Sequence, residues 1–299
     1  MTLTFSARAK GELCRQPLNR RCCAQAEAYG VLLYCNRFDG REIRIATESE
    51  DFARRLPLLF RKAFKLEFDR RPEEGALKRV FAVTDPDKLG AICAVYGYDP
   101  AQSLAHHINY AVLEEDHCRT AFFRGAFLAG GSVTDPSKRY HLELATSHLS
   151  VSREFHALLL EMGFSPKESR RKANAITYFK QSDAIEDFLT AMGAPLAAME
   201  LMNAKAEKDL RGSINRRVNC DAANLDKAVD AAQGQIEAIY KLEERGMLEN
   251  LPDKLKEAVD LRMAHPELTL SQLAELCDPP VSKSAFNHRL RKLMELAKQ

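Results

Sequence analysis

The side chains of this sequence with the clearest capacity for chemistry are its eight cysteines and a small group of histidines. The cysteines stand at positions 14, 22, 23, 35, 93, 118, 220 and 277, and none form a C-x2-C pair. That spacing fits no structural zinc pattern. His106, His107, His117 and Cys118 form a loose group of metal-ligand types that could in principle bind metal, but we favour a polar loop running into a helix. We therefore predict free thiols, no bound metal and no cofactor.

A second kind of chemistry, the binding of a polyanion, is indicated by the distribution of charge. The net charge is only +2, yet residues 1–21, 165–180 and 281–299 each hold five basic and one acidic side chain, a net +4. Residues 221–260 hold five basic and ten acidic side chains, a net −5. One basic run is typical of a solvated helix face. Three such runs on a nearly neutral chain favour a defined nucleic-acid footprint.

The last basic run overlaps a pattern typical of two short helices. Thr269 and Gln272 form a T-x-x-Q capping box at the start of the first helix. Asp278-Pro279-Pro280 ends that helix, because proline lacks the N–H group and disfavours helix in the preceding residue. Ser282 can cap the second helix. The segment SQLAELC offers three apolar side chains to a core: Leu273, Ala274 and Leu276.

The second helix separates an apolar stripe from a basic, polar face. Phe286, Leu290, Leu293 and Ala297 recur at steps of four, three and four, which places them on one side of a helix. Two short helices joined by a tight turn, with the second one basic, are the arrangement that reads a DNA groove. A solvated helix pair is the alternative. The predicted DNA-binding side chains within 269–299 are Ser271, Gln272, Ser282, Lys283, Ser284, Asn287, His288, Arg289, Arg291 and Lys292.

Two further basic segments could touch phosphate groups. The first is the basic run at 165–180. The second, residues 201–222, has a helical pattern, and we interpret it as a basic linker helix that also touches phosphate; a solvated connector is equally compatible. The acidic stretch at 221–260 would be repelled by DNA, so its helices should pack away from the duplex. The predicted phosphate contacts in the two segments are Arg170, Arg171, Lys172, Lys208, Arg211, Arg216 and Arg217.

The elements that position these residues must come from a chain of 299 residues, about two domains at roughly 150 residues each. Hydrophobic residues make up 45% and charged residues 29%, with Gly 14 and Pro 12, which excludes a disordered or low-complexity chain. No apolar run approaches the ~20 residues of a membrane helix. The start lacks the apolar core of a secretory signal. We expect a cytoplasmic protein that neither spans nor binds a membrane.

The first 165 residues contain an internal repeat. CAQAEAYGVLLYCNR, from Cys23, aligns with CRTAFFRGAFLAGGS, from Cys118, at a constant offset of 95. Each half then runs through an alternating segment, REIRIATES or YHLELATSH, into a leucine-rich helix, so each unit reads helix, strands, helix. Residues 176–179 predict a further strand. Asp183 can cap the helix that follows.

The repeated first helix carries small residues at equivalent positions. Ala26 and Gly30 lie four apart, as do Ala121, Gly125 and Ala129, so each set shares one helix face. Glycine inside a helix costs about 1 kcal/mol relative to alanine. A glycine at the same place in both halves predicts that these two helices pack closely against each other there.

FRGAFLAGGSV, at 123–133, resembles the LAGLIDADG helix of homing endonucleases. The resemblance implies two such helices packed at a pseudo-twofold axis, each delivering an acidic residue at its eighth position to hold a divalent metal. Here those positions are Cys35 and Gly130, and neither can be a carboxylate ligand. Asp39 and Asp135 are nearby, but in turns past the helix ends. We therefore predict a degenerate catalytic site; an active metal-dependent endonuclease is the alternative.

Longer motifs narrow the resemblance. ELCRQPLNRRCC near the start, the repeat, SINRRVNCDAANLDKAVDAAQGQIEAI at 213–239 and DPPVSKSAFNHRLRKL at 278–293 together resemble the WhiA family over essentially the whole chain. The resemblance implies a bacterial regulator with a degenerate LAGLIDADG domain and a C-terminal helix-turn-helix. It also implies transcriptional control tied to sporulation, cell division or chromosome segregation.

The predicted fold class is α+β. A duplicated LAGLIDADG-like domain with pseudo-twofold symmetry spans 1–200, with repeats at about 20–85 and 115–195, followed by the linker helix and an all-α helix-turn-helix domain at 223–299. We predict a sequence-specific, nucleoid-associated transcription regulator without catalysis. Double-stranded DNA is its expected partner, and RNA polymerase or a sigma factor is a further candidate. Because the duplication already supplies a pseudo-dimer, we expect a monomer.

Overall fold

Residues 3–73, 75–103 and 105–298 are described by a computed structural model. Met1, Thr2, Glu74, Leu104 and Gln299, which the predicted domains include, lie outside them. The chain divides into two units, Met1–Asp209 and Leu210–Gln299. The border between the units falls inside the segment that the sequence analysis interprets as a linker.

The first unit repeats one succession of elements. Helix α1 (Phe5–Cys14) precedes the first copy, which consists of α2 (Arg21–Tyr34), β1 (Arg37–Phe38), β2 (Ile43–Thr47), α3 (Glu50–Phe64), β3 (Arg79–Val83) and α4 (Pro86–Val95). The second copy consists of α5 (Asp116–Gly130), β4 (Gly131–Val133), β5 (Leu142–Thr146), α6 (Leu149–Glu161), β6 (Lys167–Arg171), β7 (Asn174–Phe179) and α7 (Ser182–Met192). The predicted internal duplication is therefore confirmed.

Each copy forms one antiparallel sheet, and the second sheet has one strand more than the first. The first sheet has the order β1-β2-β3 and the second β4-β5-β7-β6. Ile43 lies opposite Val83 in the first sheet. An isolated bridge between Arg70 and Ala82 stands where β6 stands in the second copy. The strands predicted in REIRIATES, YHLELATSH and ITYF are confirmed as β2, β5 and β7.

Helices α2 and α5 pack against each other through Gly30 and Gly125. A Cβ atom at Gly30 would lie 2.1 Å from the carbonyl oxygen of Phe122, and one at Gly125 would lie 1.9 Å from that of Glu27. No side chain fits at such distances, so only glycine permits this approach of two backbones. The predicted close pairing is confirmed.

A buried carboxylate stands beside this crossing. Glu27 of α2 receives hydrogen bonds from Nε and Nη2 of Arg55, at 2.5 and 2.8 Å, and from Nη1 of Arg124 at 3.2 Å. Nη1 of Arg55 also donates to the carbonyl oxygens of Cys14 and Gln16. Buried ions need such complete hydrogen bonding to offset their desolvation. The cluster thus ties α2 to α3, α5 and the end of α1.

Helix α7 starts differently from the prediction. Gln181 occupies the N-cap position without a side-chain hydrogen bond, and Asp183 lies inside the first turn. The predicted capping role of Asp183 is therefore wrong. Its carboxylate instead forms an ion pair with Lys205. Asp183 lies near the N-terminus of α7, where the helix dipole stabilises a negative charge.

Helix α8 (Pro195–Glu244) contributes to both units. Its first turn is capped from α1, because the backbone N–H groups of Leu196 and Ala197 donate to the carboxylate of Glu12 at 2.8 and 2.9 Å. The segment predicted as a linker is helical, but it is part of this longer helix. Within the described residues, no helix is long and apolar enough to cross a membrane.

In the part of the second unit that the structure describes, up to residue 298, all regular elements are helices. The end of α8 is followed by α9 (Asp253–Ala264), α10 (Leu270–Glu275) and α11 (Lys283–Leu296). Buried side chains from all four helices form one apolar core, which includes Ile239, Leu242, Leu255, Val259, Leu273, Phe286, Leu290 and Leu293. The predicted succession of an α+β domain and an all-α domain is confirmed.

Replacing Gly125 tests the helix crossing. Gly125→Ala should destabilise the first unit by about 2–3 kcal/mol, because a methyl group would overlap the backbone of α2. We expect its melting temperature to fall by roughly 5–10 °C in calorimetry of the full chain.

The matched control is Gly90→Ala in α4, where an added Cβ has no atom within 4 Å. That change should raise stability by about 0.5–1 kcal/mol, since it removes only the entropic cost of glycine in a helix. Equal effects of the two substitutions would contradict the crossing.

Candidate nucleic-acid interface

Helix α10 begins as the sequence predicts but ends earlier. The backbone N–H of Gln272 donates to Oγ1 of Thr269 at 3.4 Å, and that of Thr269 donates to Oε1 of Gln272 at 2.9 Å, which completes the capping box. The helix stops at Glu275. Leu276, predicted to face the core, is 50% exposed; that prediction is wrong because the residue lies past the last helical turn. Cys277 is buried instead.

The connection to α11 is longer than the predicted tight turn. Residues 276–282 separate the two helices, whereas a turn of about 3–4 residues is usual for this motif. The connection is nevertheless well anchored. Asp278 N–H donates to Oε1 of Glu257 at 2.8 Å, and Val281 N–H donates to the carbonyl oxygen of Ala274 at 3.0 Å.

Helix α11 has the cap and the stripe that the sequence predicts. Oγ of Ser282 accepts a hydrogen bond from the backbone N–H of Ala285 at 3.2 Å. The four apolar stripe residues are all buried: Phe286, Leu290, Leu293 and Ala297. The opposite face of the helix is thereby turned to solvent.

That exposed face is basic and polar. Ser284, His288 and Arg291 follow one another at steps of four and three, so they lie in one row, and all three are exposed. Lys283 and Lys292 flank the row and are also exposed, while Asn287 is partly buried beside it. We call these six residues the α11 face. It offers three full positive charges and several hydrogen-bonding groups from a single rigid element.

Arg289 lies apart from the α11 face. Its Nη1 donates to Oε2 of Glu257 at 2.7 Å and lies 3.7 Å from Sγ of Cys277, and its side chain is only 14% exposed. Hydrogen bonds from the Asp278 backbone and from Arg289 lower the pKa of Glu257. The geometry thus makes Arg289 a brace between α9 and α11, and its DNA contact stays a prediction.

Three other predicted contacts lie at the helix ends, and two of them take part in the caps. Ser282 and Gln272 use their oxygen atoms in the two caps, although both side chains are exposed. Ser271 is exposed in the first turn of α10. All three residues lie at or within the first turn of α10 or α11.

The predicted phosphate contacts outside the second unit have varied surroundings. Arg170, Arg171 and Lys172 are exposed on β6 and the turn after it, but Arg171 forms an ion pair with Glu143 at 3.0 Å. Nζ of Lys208 donates to the carbonyl oxygen of Pro136 at 2.6 Å and lies over the Tyr140 ring. The Lys208 ammonium group therefore already has partners within the first unit. The remaining three lie exposed on α8: Arg211, Arg216 and Arg217.

Neither of the two degenerate catalytic positions carries a carboxylate, and their surroundings differ. Sγ of Cys35 lies 3.1 Å from the carbonyl oxygens of both Leu32 and Arg37, and burial raises the pKa of this thiol to about 12. A Cβ at Gly130 would lie 2.6 Å from the carbonyl oxygen of Ala145 and 3.0 Å from Cδ1 of Tyr34.

The two aspartates nearest in sequence to these positions, Asp39 and Asp135, hold turns. Oδ1 of Asp39 accepts hydrogen bonds from the backbone N–H groups of Arg41 and Glu42 at 2.8 and 2.9 Å. Oδ1 of Asp135 accepts from the backbone N–H and the hydroxyl of Ser137 at 2.9 and 2.7 Å. Both carboxylates therefore hold turns, as expected from their place past the helix ends.

Comparison with known proteins relates both units to one family. Residues 119–211 match the WhiA LAGLIDADG-like domain and residues 214–297 the WhiA C-terminal HTH domain. The chain is 36% identical to the probable cell division protein WhiA of Ruminiclostridium cellulolyticum, over 99% of this chain and 98% of the relative. The protein of the same name from Clostridium perfringens is 34% identical, with the same coverage. The chain belongs to the WhiA family.

Solved WhiA structures have the same fold. Full-length WhiA from Thermotoga maritima superposes with a TM-score of 0.61 at 24% identity, over 99% of this chain and 98% of that one. The isolated N-terminal LAGLIDADG domain of a WhiA gives 0.50 at 22% identity, over 64% of this chain and 94% of that one. The predicted family and fold class are confirmed.

This WhiA chain also holds a group of side chains that the sequence analysis did not assemble. Cys22, Cys23, His117 and Cys118 converge at one place. His106, which the sequence places in the same loose group as His117, packs between aromatic rings, and its Nε2 lies 2.6 Å from the carbonyl oxygen of Phe38. The signal that could have found the group is the offset of 95, which already aligns Cys23 with Cys118.

The Glu257 brace should show in the pH dependence of stability. Glu257→Gln should lower the free energy of unfolding of the second unit by about 1 kcal/mol at pH 7. Since the folded-state pKa is lowered, this contribution is present above the unfolded value of about 4.3 and disappears as pH falls through the folded value. Denaturant unfolding at several pH values measures the difference.

The control is Glu275→Gln, an exposed acid on α10. Its effect should stay within about 0.5 kcal/mol. A difference between Glu257→Gln and the wild-type chain that persists undiminished at pH 3 would contradict the ionic brace.

Proposed function

We propose that this chain is a sequence-specific DNA-binding transcription regulator without nuclease activity, acting in cell division, chromosome segregation or sporulation. The observation that carries the proposal is the α11 face, a basic, exposed row on a capped and well-packed helix. Nucleoid association, a monomeric state and contact with RNA polymerase or a sigma factor belong to the same proposal.

The α11 face has the chemistry of a groove-reading helix. Arg291 can donate two parallel hydrogen bonds to guanine, and Asn287 can pair with adenine. Lys283 and Lys292, at the two edges of the row, suit the phosphate groups that border the groove. Ser284 stands near the helix N-terminus, the end of a recognition helix that contacts base edges. The core stripe fixes the direction in which all of them point.

The relatives support the biological setting. Those from Ruminiclostridium cellulolyticum and Clostridium perfringens carry the name probable cell division protein WhiA, and the match extends over both domains of the present chain. A helix-turn-helix domain of the same family is the part that would bring such a protein to DNA.

The absence of nuclease activity is supported by both degenerate positions. Mg²⁺ needs hard oxygen ligands, commonly carboxylates, and a neutral thiol at Cys35 supplies none. At Gly130, the carbonyl oxygen of Ala145 occupies the space where a side chain would begin. An endonuclease of this type would need an acid at each of these places.

DNA binding is tested with genomic fragments that the purified chain selects from competitor DNA. Arg291→Ala with Lys292→Ala should weaken specific binding by about 1–3 kcal/mol for each lost base contact and reduce the salt slope by about one for each lost phosphate contact. Because both side chains are exposed, the melting temperature should change little. Fluorescence anisotropy at several salt concentrations gives both quantities.

The matched control, Lys227→Ala with Lys254→Ala, removes two exposed cations from α8 and α9. Its affinity should stay near that of the wild-type chain. The proposal fails if the chain selects no sequence, or if the two double variants bind equally well.

Nuclease activity is tested on a supercoiled plasmid that contains a selected site, with Mg²⁺ or Mn²⁺. We expect no nicking by the wild-type chain. Cys35→Asp with Gly130→Asp should also fail to nick, and it should melt at lower temperature because the new side chain at position 130 meets the backbone of β5. Metal-dependent nicking that copurifies with the wild-type chain, and that disappears when this chain is removed from the sample, would overturn the proposal.

A further inference from the structure

Four metal-ligand side chains meet where helices α2 and α5 begin. Cys22 and Cys23 lie in the first turn of α2, and His117 and Cys118 lie in the first turn of α5. Their ligand atoms all lie within 4.8 Å of one another. Nδ1 of His117 is 3.5 Å from Sγ of Cys23 and 3.2 Å from Sγ of Cys118.

The internal duplication explains why they meet. The offset of 95 that relates the two halves places Cys23 on Cys118 and Cys22 on His117. The pseudo-twofold pairing of α2 and α5 brings these equivalent helix starts together, and the crossing at Gly30 and Gly125 sets their separation. The cluster is therefore built from one ligand pair in each half.

We propose that these four side chains form a Zn²⁺ site. Three cysteines and one histidine are a common closed ligand set for structural zinc, and Zn–S bonds of about 2.3 Å at tetrahedral angles separate two sulfur atoms by about 3.8 Å. The observed spread of up to 4.8 Å needs only small side-chain movements to reach that geometry. Soft thiolates disfavour Mg²⁺ and Ca²⁺.

The electrostatics of the place suit such an ion. Zn²⁺ with three thiolates and a neutral imidazole has a net charge of −1, and the positive ends of two helix dipoles favour it. Each thiol must lose its proton to form a Zn–S bond. Metal affinity should therefore fall as pH falls.

The surroundings offer an entry path. Cys22 is exposed, whereas Cys118 is buried. A cleft beside them is lined by Arg20, Glu114 and Glu115, among others, and its acids would attract a divalent cation.

The role of the ion would be structural. The ligands sit at the starts of α2 and α5, whereas Cys35 and Gly130 sit at their ends, about 20 Å away along helices that rise 1.5 Å per residue. All four coordination positions are filled by protein, so no position is left for substrate. The ion would join the two halves at the end of the helix pair opposite to the lost catalytic site.

The test uses the full chain, purified in reductant and stripped with a chelator. Titration with Co²⁺ alone should give intense tetrahedral d–d absorption and a thiolate-to-cobalt charge-transfer band that saturate at one ion per chain, and Zn²⁺ should displace them. Free Zn²⁺ on the order of 100 times Kd should raise the melting temperature of the first unit by roughly 5–10 °C.

Variants assign the ligands. Cys22→Ser, at an exposed position, should leave the metal-free fold intact and weaken Co²⁺ binding on the order of 100-fold; Cys118→Ser should do the same at a buried ligand. Cys220→Ser, an exposed thiol on α8, is the matched control and should keep full binding. An octahedral Co²⁺ spectrum, a tetrahedral spectrum unchanged in Cys22→Ser, or failure of the fully reduced chain to take up metal would each overturn the proposal.

Discussion

The contact on which the first unit depends is the crossing of two backbones at Gly30 and Gly125. Since neither position has room for a methyl group, the helices approach more closely than side chains normally allow. The crossing positions Glu27 of α2 so that its carboxylate reaches Arg124 of α5 as well as Arg55 of α3. Removal of one partner from such a buried cluster would leave an uncompensated charge, which typically costs about 3–5 kcal/mol. Close packing and buried charge therefore depend on each other.

The same crossing governs both ends of the helix pair. At the C-terminal end it leaves Gly130 against β5 and Tyr34, with no space for the side chain that a catalytic metal would require. At the N-terminal end it brings together thiols from residues 95 positions apart in sequence. The crossing thus limits which metal ligands the paired helices can offer. Sulfur and nitrogen ligands meet at the helix starts, and no carboxylate stands at positions 35 and 130 at the helix ends.

Local patterns predicted much of this structure, while features that depend on distant contacts escaped them. The capping box at Thr269, the buried stripe from Phe286 to Ala297 and the strand alternation at Ile43 each rest on neighbours a few residues away, so the sequence sufficed. The ion pair of Arg289 with Glu257 could not be predicted from local sequence, because the two residues are 32 positions apart. Asp183 looked like a cap because nothing local indicates its ion pair with Lys205. The thiol group was missed because zinc patterns are sought within one segment, although the repeat already aligned its members.

The residues along the helix pair differ in what their replacement would do to stability. Two facing carboxylates without a bound metal would repel each other, so a thiol at position 35 and a glycine at position 130 spare the paired helices that repulsion. Loss of Gly30, Gly125 or Glu27 brings no such relief, because each would leave a steric overlap or a buried unpaired charge. A chain with the proposed non-catalytic function would therefore need its helix crossing but no acids at the helix ends. The sequence and the structure of this chain have that combination.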